Sequence, residues 1–243
     1  MARSLLENPR AFAGKVADVL GGEEVTRPNL TGFVSSGFDP FLNHLFATGA
    51  VSREDAAAAL AGRPGFVWLE APEEGAAVMQ GMVAELTDVH FTPPDEADLT
   101  EVQSPADVDA WHGVYSEVLG AEPRSRVDWR RVHAALGPAG DGSLLLLLAR
   151  VGGTPAATDA AFLAEGEAGL YCFTTREPMR GRGLASALVQ ASHAASREQG
   201  ITRAILHATP SGRPVYARAS YRDEREFPVW RFAREGEFDR AGT

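Results

Sequence analysis

Arg180-Gly181-Arg182-Gly183-Leu184-Ala185 reads as a loop running straight into a helix. Leu184, Ala187, Leu188, Ala191 and Ala195 then recur at helical spacing along one apolar face, and Gly200 closes the element. Residues 169–175 before the loop and 202–208 after the helix have strand patterns. Strand, loop, helix and strand in that order make a parallel crossover unit. The first N–H groups of a helix lack intrahelical partners and face the positive end of its dipole, so such a junction attracts anions. Gly181 and Gly183 would let an anion approach the backbone, and Arg180 and Arg182 add charge that is not lost by deprotonation. The alternative is a helix cap that binds nothing.

Two familiar phosphate loops do not fit. A dinucleotide fold wants a third glycine where Ser186 stands and an acid about 20 residues on, where Arg203 stands. The G-x-x-x-x-G-K-[ST] pattern of nucleotide hydrolases is absent.

Outward from the loop, residues 144–151, 156–163 and 169–175 read as three strands separated by Gly152-Gly153 and Gly166, an antiparallel meander. A strand at 99–102 and helices at 105–119 and 129–136 precede it. A short helix at 213–218 and a strand at 226–232 follow the crossover. Nearer the N-terminus the patterns suggest helix at 5–20, extended chain at 30–35 and 41–46, and a helix to residue 60 capped by Ser52. They continue with a strand at 66–69 and a helix at 76–86. Pro93-Pro94 reads as a linker, dividing residues 1–92, a smaller α+β domain, from residues 93–243. The fold class expected is therefore α+β, with a mixed, largely antiparallel sheet flanked by helices.

Composition narrows the chemistry. The 243 residues carry a formal charge of −10, against the basic surface a nucleic-acid binder shows. Lys15 is the one lysine among 23 basic residues, and twelve arginines lie from Arg176 onward, which points to anion handling in the C-terminal third. Cys172 is the single cysteine and the six histidines are scattered, so neither a disulfide within the chain nor a metal site is expected. No stretch approaches the roughly 20 apolar residues of a membrane span, and Glu7, Arg10 and Lys15 interrupt any leader-like segment; a cytoplasmic location is the expectation.

With these elements in place, Arg180 to Ala185 resembles the Q/R-x-x-G-x-G/A signature of the GNAT superfamily of N-acetyltransferases. The segment Pro214-Val215-Tyr216-Ala217-Arg218-Ala219-Ser220-Tyr221-Arg222 is similar to the later L-Y-x-x-x-G-F motif of that family. The likeness spans about residues 99–232, and the N-terminal part could be a degenerate half-copy, as in tandem members. The resemblance implies acetyl-CoA as cosubstrate, with no metal. It implies that backbone groups of Phe173 and Thr175 pair with the pantetheine arm. Arg180, Gly181, Arg182, Gly183, Leu184, Ala185 and Ser186 would hold the pyrophosphate. Tyr216 takes the place of the general acid.

Ser220-Tyr221 replaces the usual Gly-Phe pair, and a serine strains a turn that needs positive φ. Glu165, Glu167 and His207 are weak candidates for a base, with solvent-facing or structural roles the simpler reading. Phe33, Phe38, Phe41, Asn43 and Trp68 either form the core of the first domain or cover the acceptor side. The implied function is acetyl transfer to a primary amine, on a small molecule in the first instance. A protein-directed enzyme and a non-catalytic acyl-CoA sensor remain alternatives. The oligomeric state is not legible.

Overall fold

A computed structural model describes residues 5–86 and 94–232. The chain opens with α1 (Glu7–Leu20), β1 (Glu23–Arg27), β2 (Leu30–Val34), β3 (His44–Ala47), α2 (Arg53–Leu60), β4 (Gly65–Trp68) and β5 (Ala77–Glu85). Then come β6 (Ala97–Glu101), α3 (Pro105–Leu119), α4 (Ser125–Leu136), β7 (Leu144–Val151), β8 (Thr154–Ala164) and β9 (Glu167–Thr175). The last elements are α5 (Leu184–Glu198), β10 (Arg203–Ala208), α6 (Arg213–Arg218) and β11 (Arg222–Phe232). Among the described residues the strands make a single sheet in the order β1-β2-β3-β4-β11-β5-β10-β9-β8-β7-β6. Only β3–β4 and β9–β10 pair in parallel, so the sheet is mixed and largely antiparallel.

Period-2 alternation explains how one strand serves two layers. Leu144, Leu146 and Leu148 of β7 join the core under α1, α3 and α4, built on Phe12, Trp111, Trp129 and Phe162. Leu147 and Ala149 point the other way, onto Leu184 and Leu188 of α5. Ser104 and Asp107 form a full capping box at the start of α3.

The two parallel pairs are built alike. In each, an antiparallel meander runs into a helix and returns beside its last strand: β1-β2-β3-α2-β4, and β7-β8-β9-α5-β10. The strand after each unit crosses to the other one. β5 pairs with β10, β11 pairs with β4, and β5 and β11 pair with each other at the centre.

Residues 76–86, expected to be helical, form β5 instead. Ala, Met and Leu favour a helix locally, but the segment lies between β10 and β11, and Gly81 to Ala84 are consecutively buried because both faces are covered. A side chain at Gly81 would meet the Phe227 ring at 2.5 Å. The extended chain expected at 41–46 begins with a 3-10 turn, Pro40–Leu42, because the Asp39 carboxylate accepts the Phe41 amide hydrogen. β1 had no clear sequence signal, and α4 starts four residues earlier than its periodicity suggested. Pro93, where the domain boundary was expected, lies outside the described residues; β5 from before it and β10 and β11 from after it are adjacent in the sheet. No described helix is long and apolar enough to cross a membrane.

Candidate active site

β9 and β10 part company half-way. Their parallel pairing ends at Leu206↔Leu170, whereas β8 follows β9 as far as Ala157↔Thr175. The edge of β9 facing β10 is therefore left without a strand partner from residue 171 to 175, a place where an extended ligand can pair with the backbone. Beyond the gap, Gly181 and Gly183 adopt φ of 77° and 78°, which turns the chain sharply into α5. The start of α5 has neither a side-chain cap nor an acid in its first turn. Its counterpart α2 differs on both counts: Ser52 accepts from the Asp55 amide, and Glu54 and Asp55 lie in the first turn. An anion is favoured at α5 and repelled at α2.

A cleft of about 660 Å³ occupies the gap. Phe173, Thr175, Arg180, Gly181, Gly183 and Leu184 line it, together with Ala185 and Ser186, so most of the expected cofactor residues converge on one surface. Arg182 turns aside, 2.7 Å from Glu96. Arg218, two residues beyond Tyr216, joins the lining from α6, and its part was missed in the sequence.

A β-bulge shapes the floor. Thr158 faces Thr174 and Ala160 faces Tyr171, so Asp159 alone opposes Cys172 and Phe173. Cys172 is accordingly left-handed at φ 55°, with its carbonyl accepting a hydrogen bond from the Thr158 hydroxyl at 3.0 Å. Its thiol is buried and burial holds its pKa well above the usual thiol range, a poor nucleophile. Asp159 is wholly buried; its carboxyl takes a hydrogen bond from Ser192 of α5, and burial raises its pKa to about 8.

Tyr216 stands on α6 with its ring against Phe173, 5.5 Å between centroids, and against Tyr221, 6.0 Å. Burial, and secondarily Asp159, raise its phenol pKa, so it is protonated at neutral pH. Tyr221 is also tied to α5, its hydroxyl 2.9 Å from His193 Nε2. Ser220 between them has φ 67°, the left-handed conformation that its glycine-like position demands.

A second, inner pocket of about 160 Å³ shares Phe173, Thr209 and Tyr216 with the cleft. Its far wall comes from the N-terminal third: Phe41, His44, Phe66, Trp68 and Met79. The Trp68 indole donates to His44 Nδ1 at 3.0 Å and lies 4.6 Å from the His207 ring. His207 is thus packed among aromatic rings instead of facing solvent. Burial lowers its pKa to about 3, and its Nε2 is buried with no hydrogen-bond partner among the described residues. Of the aromatics singled out in the sequence, Phe41 and Trp68 reach this pocket. Phe38 lies under Arg124, and Asn43 is spent on Ser35 and Pro64. Glu167 pairs with Arg203 at the opposite end of β9 from the cleft.

A model of the acetyltransferase (GNAT) family matches residues 108–221. A GCN5-related N-acetyltransferase from Kribbella flavida aligns with a TM-score of 0.62 at 19% identity, over 92% of this chain and 95% of that one. Another from Sphaerobacter thermophilus gives 0.60 at 15% identity over 95% and 93%. A GCN5-related N-acetyltransferase-like protein from Streptococcus suis gives 0.58 at 13% over 94% and 100%. These likenesses extend through the N-terminal third as well as the matched region. No curated protein matches the sequence significantly.

Proposed function

We propose that this acetyltransferase, whose residues 108–221 match the acetyltransferase (GNAT) family, draws on acetyl-CoA and acetylates a primary amine on a small molecule, with Tyr216 as general acid. The observation that carries the reading is the meeting of the two cavities at Phe173, Thr209 and Tyr216. One cavity suits an anionic, extended cosubstrate: it has open amides at α5, Arg180 and Arg218, and an unpartnered strand edge. The other is closed over by Phe41, Phe66 and Trp68, which favours a small acceptor over a polypeptide segment.

Acetyl-CoA supplies an activated thioester. Backbone amides of Gly181, Gly183 and the first turn of α5 hold its pyrophosphate, and Phe173 and Thr175 pair with the pantetheine arm. The amine lone pair forms the new C–N bond as the C–S bond breaks. Tyr216 gives its proton to the departing sulfur, and the proton shed by nitrogen restores the phenol. Residues 1–92 are a degenerate copy of the crossover unit in this reading. The repeated β-meander, helix and parallel strand support it, and its role is to roof the acceptor side.

Thiol release from acetyl-CoA in the presence of amines tests the reading. Tyr216→Phe is expected to lower kcat by roughly 10²–10³-fold while leaving acetyl-CoA affinity within about twofold. An equal loss of binding would make Tyr216 a structural residue.

A further inference from the structure

The inner pocket is small and almost free of charge-bearing groups. Its volume, about 160 Å³, is close to the roughly 150 Å³ of an engineered apolar cavity that takes up benzene. Phe41, Phe66, Trp68, Met79, Phe173 and Tyr216 supply most of its wall, and no carboxylate, guanidinium or ammonium is among the described residues that line it. Both nitrogens of His44 are engaged: Nδ1 accepts from Trp68, and Nε2 donates to the Phe41 carbonyl at 3.0 Å. His207 Nε2 is the buried polar atom left over.

We propose that the acceptor is a primary amine carried on a compact, uncharged body about the size of one benzene ring. The proposal rests on the acetyl-transfer reading above and adds the substrate class. A polyamine, an amino sugar or a peptide lysine would bring further ammonium, hydroxyl or amide groups into this wall. Each polar group left without a partner weakens transition-state binding by roughly tenfold or more, so two of them give discrimination of about a hundredfold. A wall without carboxylates also disfavours the ammonium form, so the amine enters neutral and its lone pair is free to attack. A strong protein base is then unnecessary, in keeping with a His207 ring that stays neutral down to about pH 3.

Initial rates of thiol release with benzylamine, 2-phenylethylamine, spermidine, glucosamine and a lysine-containing peptide test the assignment. The expected kcat/KM for the two aryl amines exceeds that for the polar three by at least 100-fold. Faster turnover of any polar amine would overturn the acceptor class and leave acetyl transfer standing. No turnover of any amine by a protein that still binds acetyl-CoA would overturn the transfer reading itself. A readout independent of turnover is benzylamine binding, followed by thermal stabilisation. Met79 is half-buried at the pocket wall, so Met79→Trp should fill the space, abolish that stabilisation and lower aryl-amine kcat/KM at least tenfold, with acetyl-CoA affinity unchanged. Undiminished benzylamine binding in this variant would show that the amine sits elsewhere.

Discussion

At the scale of single residues, backbone conformation is the sharpest constraint. Ser220 is exposed and held at φ 67° in the turn that joins α6 to β11. An L-residue there costs about 1–2 kcal/mol, and a glycine gives back somewhat less because it frees the unfolded chain. Ser220→Gly is therefore expected to raise the melting temperature by about 1–3 °C in a thermal scan. A lower melting temperature would mean that the serine contributes something its conformation does not reveal. This position was legible before the structure, since the motif wants glycine where the chain has serine. Gly181 and Gly183 were legible for the same reason. His207 was not: its burial depends on Trp68 and Phe227, which approach it only once distant strands are assembled.

At the scale of elements, the β8–β9 bulge and α5 are coupled through Asp159. Its folded pKa of about 8 stands above the ordinary 3.8. Between those values the folded state keeps a proton that the unfolded chain has released, so the contribution of this group to stability falls as pH rises from about 4 to about 8. Asp159→Asn removes the titration and keeps the shape. Its stability relative to the parent should grow between pH 5 and pH 8 in urea unfolding, by up to about 1.4 kcal/mol per pH unit. A difference independent of pH would mean that Asp159 is ionised in the fold. Elements held by their own periodicity and caps, such as α3 with its Ser104–Asp107 box, could be read from the sequence. β5 could not, because its strand form comes from β10 and β11 on either side, and local propensity alone points to a helix.

At the scale of the molecule, the site exists because two similar crossover units share one sheet and differ at a helix start. α5 leaves its amides open while α2 caps and acidifies its own, so the electrostatics favour an anion at one unit, while the other contributes aromatic wall to the inner pocket. The C-terminal unit was legible through its loop and its tyrosine; the exchange of β5 and β11 was not, since it depends on hydrogen bonds between segments far apart in the chain. The central claim is that the cleft between the splayed strands, closed by Gly181 and Gly183, holds acetyl-CoA. Calorimetric titration of the parent protein and of Gly183→Val tests it most directly, because a β-branched residue at φ 78° distorts the loop without entering the core. Saturable binding of one acetyl-CoA by the parent, weakened at least tenfold in Gly183→Val at unchanged far-ultraviolet dichroism, is the predicted result. Absence of binding by the parent, or equal affinity in the two proteins, would contradict it.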